Sequence, residues 1–126
     1  MNHTLDHHDN YSIFAVSEDK LDTTIAPDVK AKFAEAQAEG AKFLIVDLSS
    51  VKYADSSGLS ALLVGNRSFS EIGAFVIFGV QEHVEKLIKI SMLDKVLNIQ
   101  PSKEEAVDFV FMSSLEKDMG DEDNEE

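Results

Sequence analysis

An α/β fold with a mixed, mostly parallel sheet of four to five strands and about four helices is predicted by three observations. Two short apolar runs, FLIVDL at 43–48 and AFVIFGV at 74–80, have the unbroken hydrophobicity of strands buried on both faces. Segments of helical periodicity flank both runs, and strands that alternate with helices build parallel sheets covered by those helices. The chain of 126 residues shows no linker and no internal repeat, and its length suits one core.

The elements follow in order. A weak strand pattern covers 2–6, and Asp9-Asn10 reads as a turn into a clearer strand at 11–16 (YSIFAV). Residues 26–39 read as a helix: Pro27 suits a first turn, Val29, Phe33 and Ala36 share a face, and Gly40 ends it. After the buried strand 43–48, residues 57–72 form a second helix stopped by Gly73, with Leu59, Leu62, Leu63 and Phe69 inward. The strand 74–80 leads to a third helix at 81–91, with Val84, Leu87 and Ile88 inward, and VLNI at 96–99 is a last short strand. Ser102-Lys103-Glu104-Glu105 is a capping box that opens a final helix running to about 116. That helix carries two apolar stripes. One, Ala106, Phe109 and Val110 or else Val107, Phe111 and Leu115, must cover the sheet; the other is a candidate homodimer or partner patch, or a more deeply buried helix end.

Composition narrows the function. The net charge of −13 opposes nucleic acid as a partner, because phosphate backbones repel such a surface. The last nine residues, 118–126, carry six acids and no base, which leaves 1–117 at −7 and marks 118–126 as a disordered acidic tail. The chain has no cysteine, hence no disulfide framework and no thiol chemistry. The polar start MNHTLDHHDN lacks the order of a signal peptide, and no apolar run is long enough to span or insert into a bilayer, so a cytoplasmic setting is expected.

The stretch YADSSGLSALL at 53–63 sets an acid, two hydroxyls and a glycine between a buried strand and a helix, the edge where α/β folds place ligand and switch sites. Ser56 and Ser57 fall at or just before the first helical turn, where a serine serves as a cap or stands free. Gly58 lets the backbone turn tightly and lets another molecule approach closely. On the helix, Ser60, Arg67 and Glu71 form a narrow polar arc with Val64 beside it, so an apolar residue borders the hydroxyls.

Taken with Leu21-Asp22, the strand AFVIFGV and the segment VEKLIKISMLDKVL, this stretch resembles the STAS domain family of bacterial anti-sigma factor antagonists over roughly residues 10–115. The resemblance implies a STAS-like domain at 1–117 that is not an enzyme and needs no metal or cofactor of its own. It implies that the serine after the acid, Ser56, is phosphorylated by a partner anti-sigma factor acting as a serine kinase, which supplies the ATP and Mg²⁺. Ser57 then has a supporting or secondary role, and Asp55 orients the acceptor or holds the loop. Asp22, Asp55, Ser56, Ser57, Gly58, Ser60 and Val64 are the expected partner-binding residues. Unmodified, the domain would hold the anti-sigma factor and free a sigma factor; a protein phosphatase would reset it. A phosphate adds about −1.5 to −2 charges, which a helix N-terminus tolerates but an acidic partner surface does not. Within the same family, a subunit that is never phosphorylated is the alternative, serving a membrane lipid transporter or a stress-signalling scaffold.

The chain departs from the family pattern in three places. Asp19-Lys20-Leu21-Asp22 replaces a turn that often holds glycine, Met92 stands where glycine is frequent, and the acidic end is additional. Rival chemistries fare worse. A phospho-receiver would use Glu18, Asp19 and Asp47, but wants a hydroxyl near Gly79 and a lysine better placed than Lys103. A serine nucleophile needs an activating base; outside the N-terminal histidines only His83 offers one. His3, His7 and His8 with Asp6 and Asp9 have no spacing that builds a structural metal site.

Overall fold

The computed structural model describes the backbone of residues 1–125 and side chains through Glu116. The elements are β1 (His3–His7), β2 (Ser12–Val16), β3 (Lys20–Leu21), α1 (Ala26–Ala38), β4 (Phe43–Asp47), β5 (Tyr53–Ala54), α2 (Ser56–Ser70), β6 (Ala74–Phe78), α3 (Glu82–Ile90), a 3-10 turn (Leu93–Lys95), β7 (Asn98–Gln100) and α4 (Lys103–Glu125). Five strands form one sheet in the order β1-β2-β4-β6-β7. Only the β1–β2 pair is antiparallel; β2–β4, β4–β6 and β6–β7 are parallel. The mixed, mostly parallel α/β architecture is the expected one.

The sheet is covered on both faces, which is why β4 and β6 are apolar throughout. Alternate residues Phe14, Val16, Leu44, Val46, Phe75 and Ile77 face one way and meet Val29 and Phe33 of α1, Leu59 and Leu62 of α2, and Val84 and Ile88 of α3. Their neighbours Ile13, Ile45, Ala74, Val76 and Phe78 face the other way and meet Ala106 and Val110 of α4. Phe33 joins Phe14 and Phe75 edge-on, with ring centroids 5.5 and 5.4 Å apart. The Ala106 stripe is therefore the one that covers the sheet. Phe111, Met112 and Leu115 are exposed, with Phe111 edge-on to Tyr11.

The differences from the sequence reading are local. Residues 20–21 and 53–54 form a separate two-stranded parallel ladder, too short to leave a periodic pattern. The last strand begins at Asn98 rather than 96, because the chain makes a 3-10 turn first: Val96 and Leu97 N–H both donate to the Leu93 carbonyl, and Val96 is left exposed. Met92 has φ 60°, the left-handed conformation that glycine adopts most easily. The second helix starts at Ser56, one residue earlier than expected. The Ser102 hydroxyl accepts from the Glu105 N–H at 3.2 Å, as its capping sequence predicts. The last helix runs to Glu125 rather than ending near 116. The separate tail expected at 118–126 depends on side chains outside the described residues.

Candidate functional site

The connection from β4 to α2 is tied down along its length. The Asp47 carboxylate accepts from the Ser49 N–H at 2.9 Å, and the Val51 N–H closes a turn on the Leu48 carbonyl. Lys52 and Tyr53 N–H both donate to the Asp19 carbonyl, and the Asp55 N–H donates to the Leu21 carbonyl. The short β3–β5 ladder lies between these bonds, so the start of α2 is fastened to the segment that precedes α1.

Asp55 is the N-cap of α2. Its backbone is extended (φ −119°, ψ −175°), and its Oδ1 accepts from the Gly58 N–H at 3.0 Å. Because the acid supplies the cap, neither serine has to. Ser56, the first helical residue, is exposed. Ser57 is half-buried, and its Oγ lies 3.2 Å from Thr23 Oγ1, which is also 3.3 Å from Asp55 Oδ2. Gly58 is buried, and a Cβ there would sit 2.2 Å from the Leu21 carbonyl oxygen. The glycine is required by close backbone approach, not by a turn.

Asp22 lies on the neighbouring loop. Its carboxylate accepts from the Thr24 hydroxyl and from the Thr24 N–H, while its carbonyl accepts from the Ile25 and Ala26 N–H at the start of α1. The bond from the Thr24 hydroxyl, then that from its N–H, holds the Asp22 carboxyl below the usual carboxylate value.

Ser56, Ser60 and Val64 follow at helical spacing along one exposed strip of α2, with Val64 37% exposed. Ser56, Ser57 and Ser60 line an open depression between α1 and α2, opposite Thr23, Ala26, Pro27 and Lys30. Asp22 borders a different hollow, with Glu18, Asp19 and Lys20. Of the expected residues, Ser56, Ser57 and Ser60 line the depression, whereas Asp22, Asp55 and Gly58 lie beside it and Val64 stands farther along α2. Thr23 and Lys30 line it and carry no motif; their only sequence signal is nearness to Asp22 and to the first turn of α1.

The histidines are engaged elsewhere. His83 packs edge-on to Tyr53 at 5.1 Å. His3 stands against Phe14, His8 stacks on Tyr11, and His7 Nδ1 lies 2.6 Å from Ser12 Oγ. Among the described residues, no group of three or more His, Asp or Glu side chains is placed to hold a metal ion, and no helix is long and apolar enough to cross a membrane.

Known proteins share the fold that carries these residues. The STAS domain family matches residues 2–106. An anti-sigma-B factor antagonist of Listeria monocytogenes is 29% identical over 93 residues, 73% of this chain and 80% of that protein. The crystal structure of an anti-sigma factor antagonist from Mycobacterium paratuberculosis superposes with a TM-score of 0.78 at 24% identity, over 86% of this chain and 92% of the other. The Bacillus cell fate determinant SpoIIAA, solved in its phosphorylated form, superposes with a TM-score of 0.64 at 20% identity, over 86% and 99% of the two chains. The chain belongs to the STAS domain family.

Proposed function

We propose that this STAS domain is an anti-sigma factor antagonist switched by phosphorylation of Ser56. Unmodified, it binds an anti-sigma factor that is also a serine kinase, and so releases a sigma factor. The observation that carries the reading is that Ser56 is exposed at the first position of a helix whose cap comes from Asp55, and its hydroxyl makes no hydrogen bond among the described residues. The Listeria relative bears the antagonist's name, and the Bacillus relative has been solved phosphorylated.

In the transfer, Ser56 Oγ attacks the γ-phosphorus of ATP held by the kinase. A bond forms from Oγ to phosphorus, and the bond to the β,γ-bridging oxygen breaks. ADP leaves with that electron pair, and the hydroxyl proton passes to a base of the kinase. A phosphatase reverses the state: water attacks phosphorus, and Oγ departs and is protonated. This chain is substrate and ligand in these steps, not catalyst. Asp55 fixes the helix start, Ser57 packs against Thr23 in support, and Gly58 lets the loop close on Leu21. Asp22, Ser60 and Val64 extend the surface that the kinase covers. Phosphate at Ser56 adds charge beside Asp55 at the centre of that surface, and like charges across an interface cost several kcal/mol.

Calorimetric titration with the anti-sigma factor kinase tests the switch. The unmodified chain and Ser56→Ala should bind, and Ser56→Glu should bind at least about tenfold more weakly, since one misplaced charge costs 1.4 kcal/mol or more. Equal affinity for the unmodified chain and the stoichiometrically phosphorylated chain would contradict it.

A further inference from the structure

We propose that Lys30 and the Ser60 hydroxyl hold the phosphoryl group that Ser56 receives, so that it lies in the groove between α1 and α2 instead of projecting into solvent. This rests on the reading of Ser56 as the acceptor.

Among the described residues, Lys30 is the one basic residue lining the depression that contains Ser56. It is exposed, and among the described residues no ion pair involves it, whereas Lys32, Lys86 and Lys89 are each bridged to a glutamate on their own helix. The nearby acids are turned to other tasks. Asp55 directs one oxygen to the Gly58 N–H and the other toward Thr23. Asp22 binds Thr24 and borders the separate acidic hollow. Asp28 is two residues from Lys30 and does not share its face of α1. The charge that meets a phosphate on Ser56 from across the groove is therefore a cation. Ser60 stands one turn beyond Ser56 and lines the same hollow, with a hydroxyl able to donate. The Thr23 hydroxyl is already occupied by Asp55 and Ser57.

A phosphoserine becomes dianionic with a second ionisation near pH 6. A lysine ammonium, a compact point charge with three donors, favours the dianion and lowers that ionisation. The modified side chain then fills the depression and turns its charge from positive to negative, so a partner loses both the cavity and the cation in it.

Phosphoserine installed at position 56 during synthesis, followed by ³¹P NMR across the second ionisation, tests this without any kinase. Lys30→Ala should raise the ionisation by about 0.2–0.7 pH unit, the range for exposed pairs. Lys30→Arg should restore most of it, Ser60→Ala should give a smaller rise, and Lys32→Ala should leave it unchanged. Added salt should narrow the gap between Lys30→Ala and the parent chain. Unmodified Lys30→Ala should melt with the parent, since the side chain is exposed and unpaired. If Lys30→Ala and Lys30→Glu titrate together with the parent, the clamp is wrong whatever the kinase does. If the clamp titrates as expected but the kinase never labels Ser56, the clamp stands and the switch reading fails.

Discussion

Two strand-to-helix junctions sit side by side at the same end of the sheet, and they are built differently. From β6 the chain passes to α3 through three residues: Gly79, in the left-handed region at φ 77°, then Val80 and Gln81. Gln81 occupies the N-cap without a side-chain cap bond, and its amide donates instead to the Ser49 carbonyl at 2.6 Å. From β4 the chain takes a longer path to α2, fastened to residues 19–21, and ends on an N-cap whose own carboxylate closes the first turn. The α3 junction is plain packing, and its side chain serves the neighbouring loop. The α2 junction is anchored from outside, and among the described residues the Ser56 hydroxyl makes no hydrogen bond. The acceptor proposed above stands at the second junction, the one fastened from outside.

The comparison breaks most sharply at Gly58. Gly58→Ala forces a methyl to within 2.2 Å of the Leu21 carbonyl, so the loop anchor or the helix must move. A loss of about 1–3 kcal/mol, or more, is expected in chemical denaturation. An unchanged midpoint would mean that the anchoring of α2 to β3 is dispensable. Next come the caps. Asp55→Ala should cost about 1 kcal/mol for the lost N-cap and should slow phosphorylation as the helix start frays. Gln81→Ala removes one bond at an exposed site and should cost about 0.5 kcal/mol with no effect on labelling. Equal losses would erase the distinction between the two junctions.

The smallest effect is in pH dependence, and the two regions respond at opposite ends of the scale. Asp22, beside the α2 junction, has its carboxyl lowered from 3.8, chiefly by the Thr24 hydroxyl. The stability it contributes is full above 3.8 and is lost as pH falls through its lower folded value. Asp22→Asn should therefore flatten the acid limb of a stability profile below about pH 4. Lys89 on α3 has its ammonium raised above 10.5, chiefly by its hydrogen bond to Glu85. Its contribution is full below 10.5 and fades as pH rises past that value, so Glu85→Gln should flatten the alkaline limb only. Crossed effects in the two variants would show that the junctions are electrostatically coupled.

What the sequence discloses follows from range. The strands around Leu44–Val46 and Val76–Ile77 are legible because burial on both faces leaves an unbroken apolar run. A helix start near Ser56 is legible because capping residues act locally, but the cap falls on Asp55 rather than on a serine, and Gly58 is demanded by the Leu21 carbonyl, far away in the chain. Thr23 is not legible: it reaches Asp55 across 32 residues, and a lone threonine in a polar loop has no local signature. The β3–β5 ladder is hidden for the same reason, since two residues cannot show a period. Val96 misleads because an apolar β-branched residue ahead of Leu97 looks like the start of a strand, while the left-handed Met92 and the 3-10 turn delay the strand to Asn98. Val64 and the exposed side of α4 show that an apolar residue at a helix edge can be read only once the neighbouring elements are placed.

The central claim is that Ser56, and not its half-buried neighbour, is the hydroxyl offered for modification. Incubation of the parent chain, Ser56→Ala and Ser57→Ala with the anti-sigma factor kinase and ATP, followed by mass spectrometric location of phosphate, tests it most directly. The expected result is a single phosphate on Ser56 in the parent and in Ser57→Ala, and none in Ser56→Ala. Undiminished label in Ser56→Ala would contradict the account.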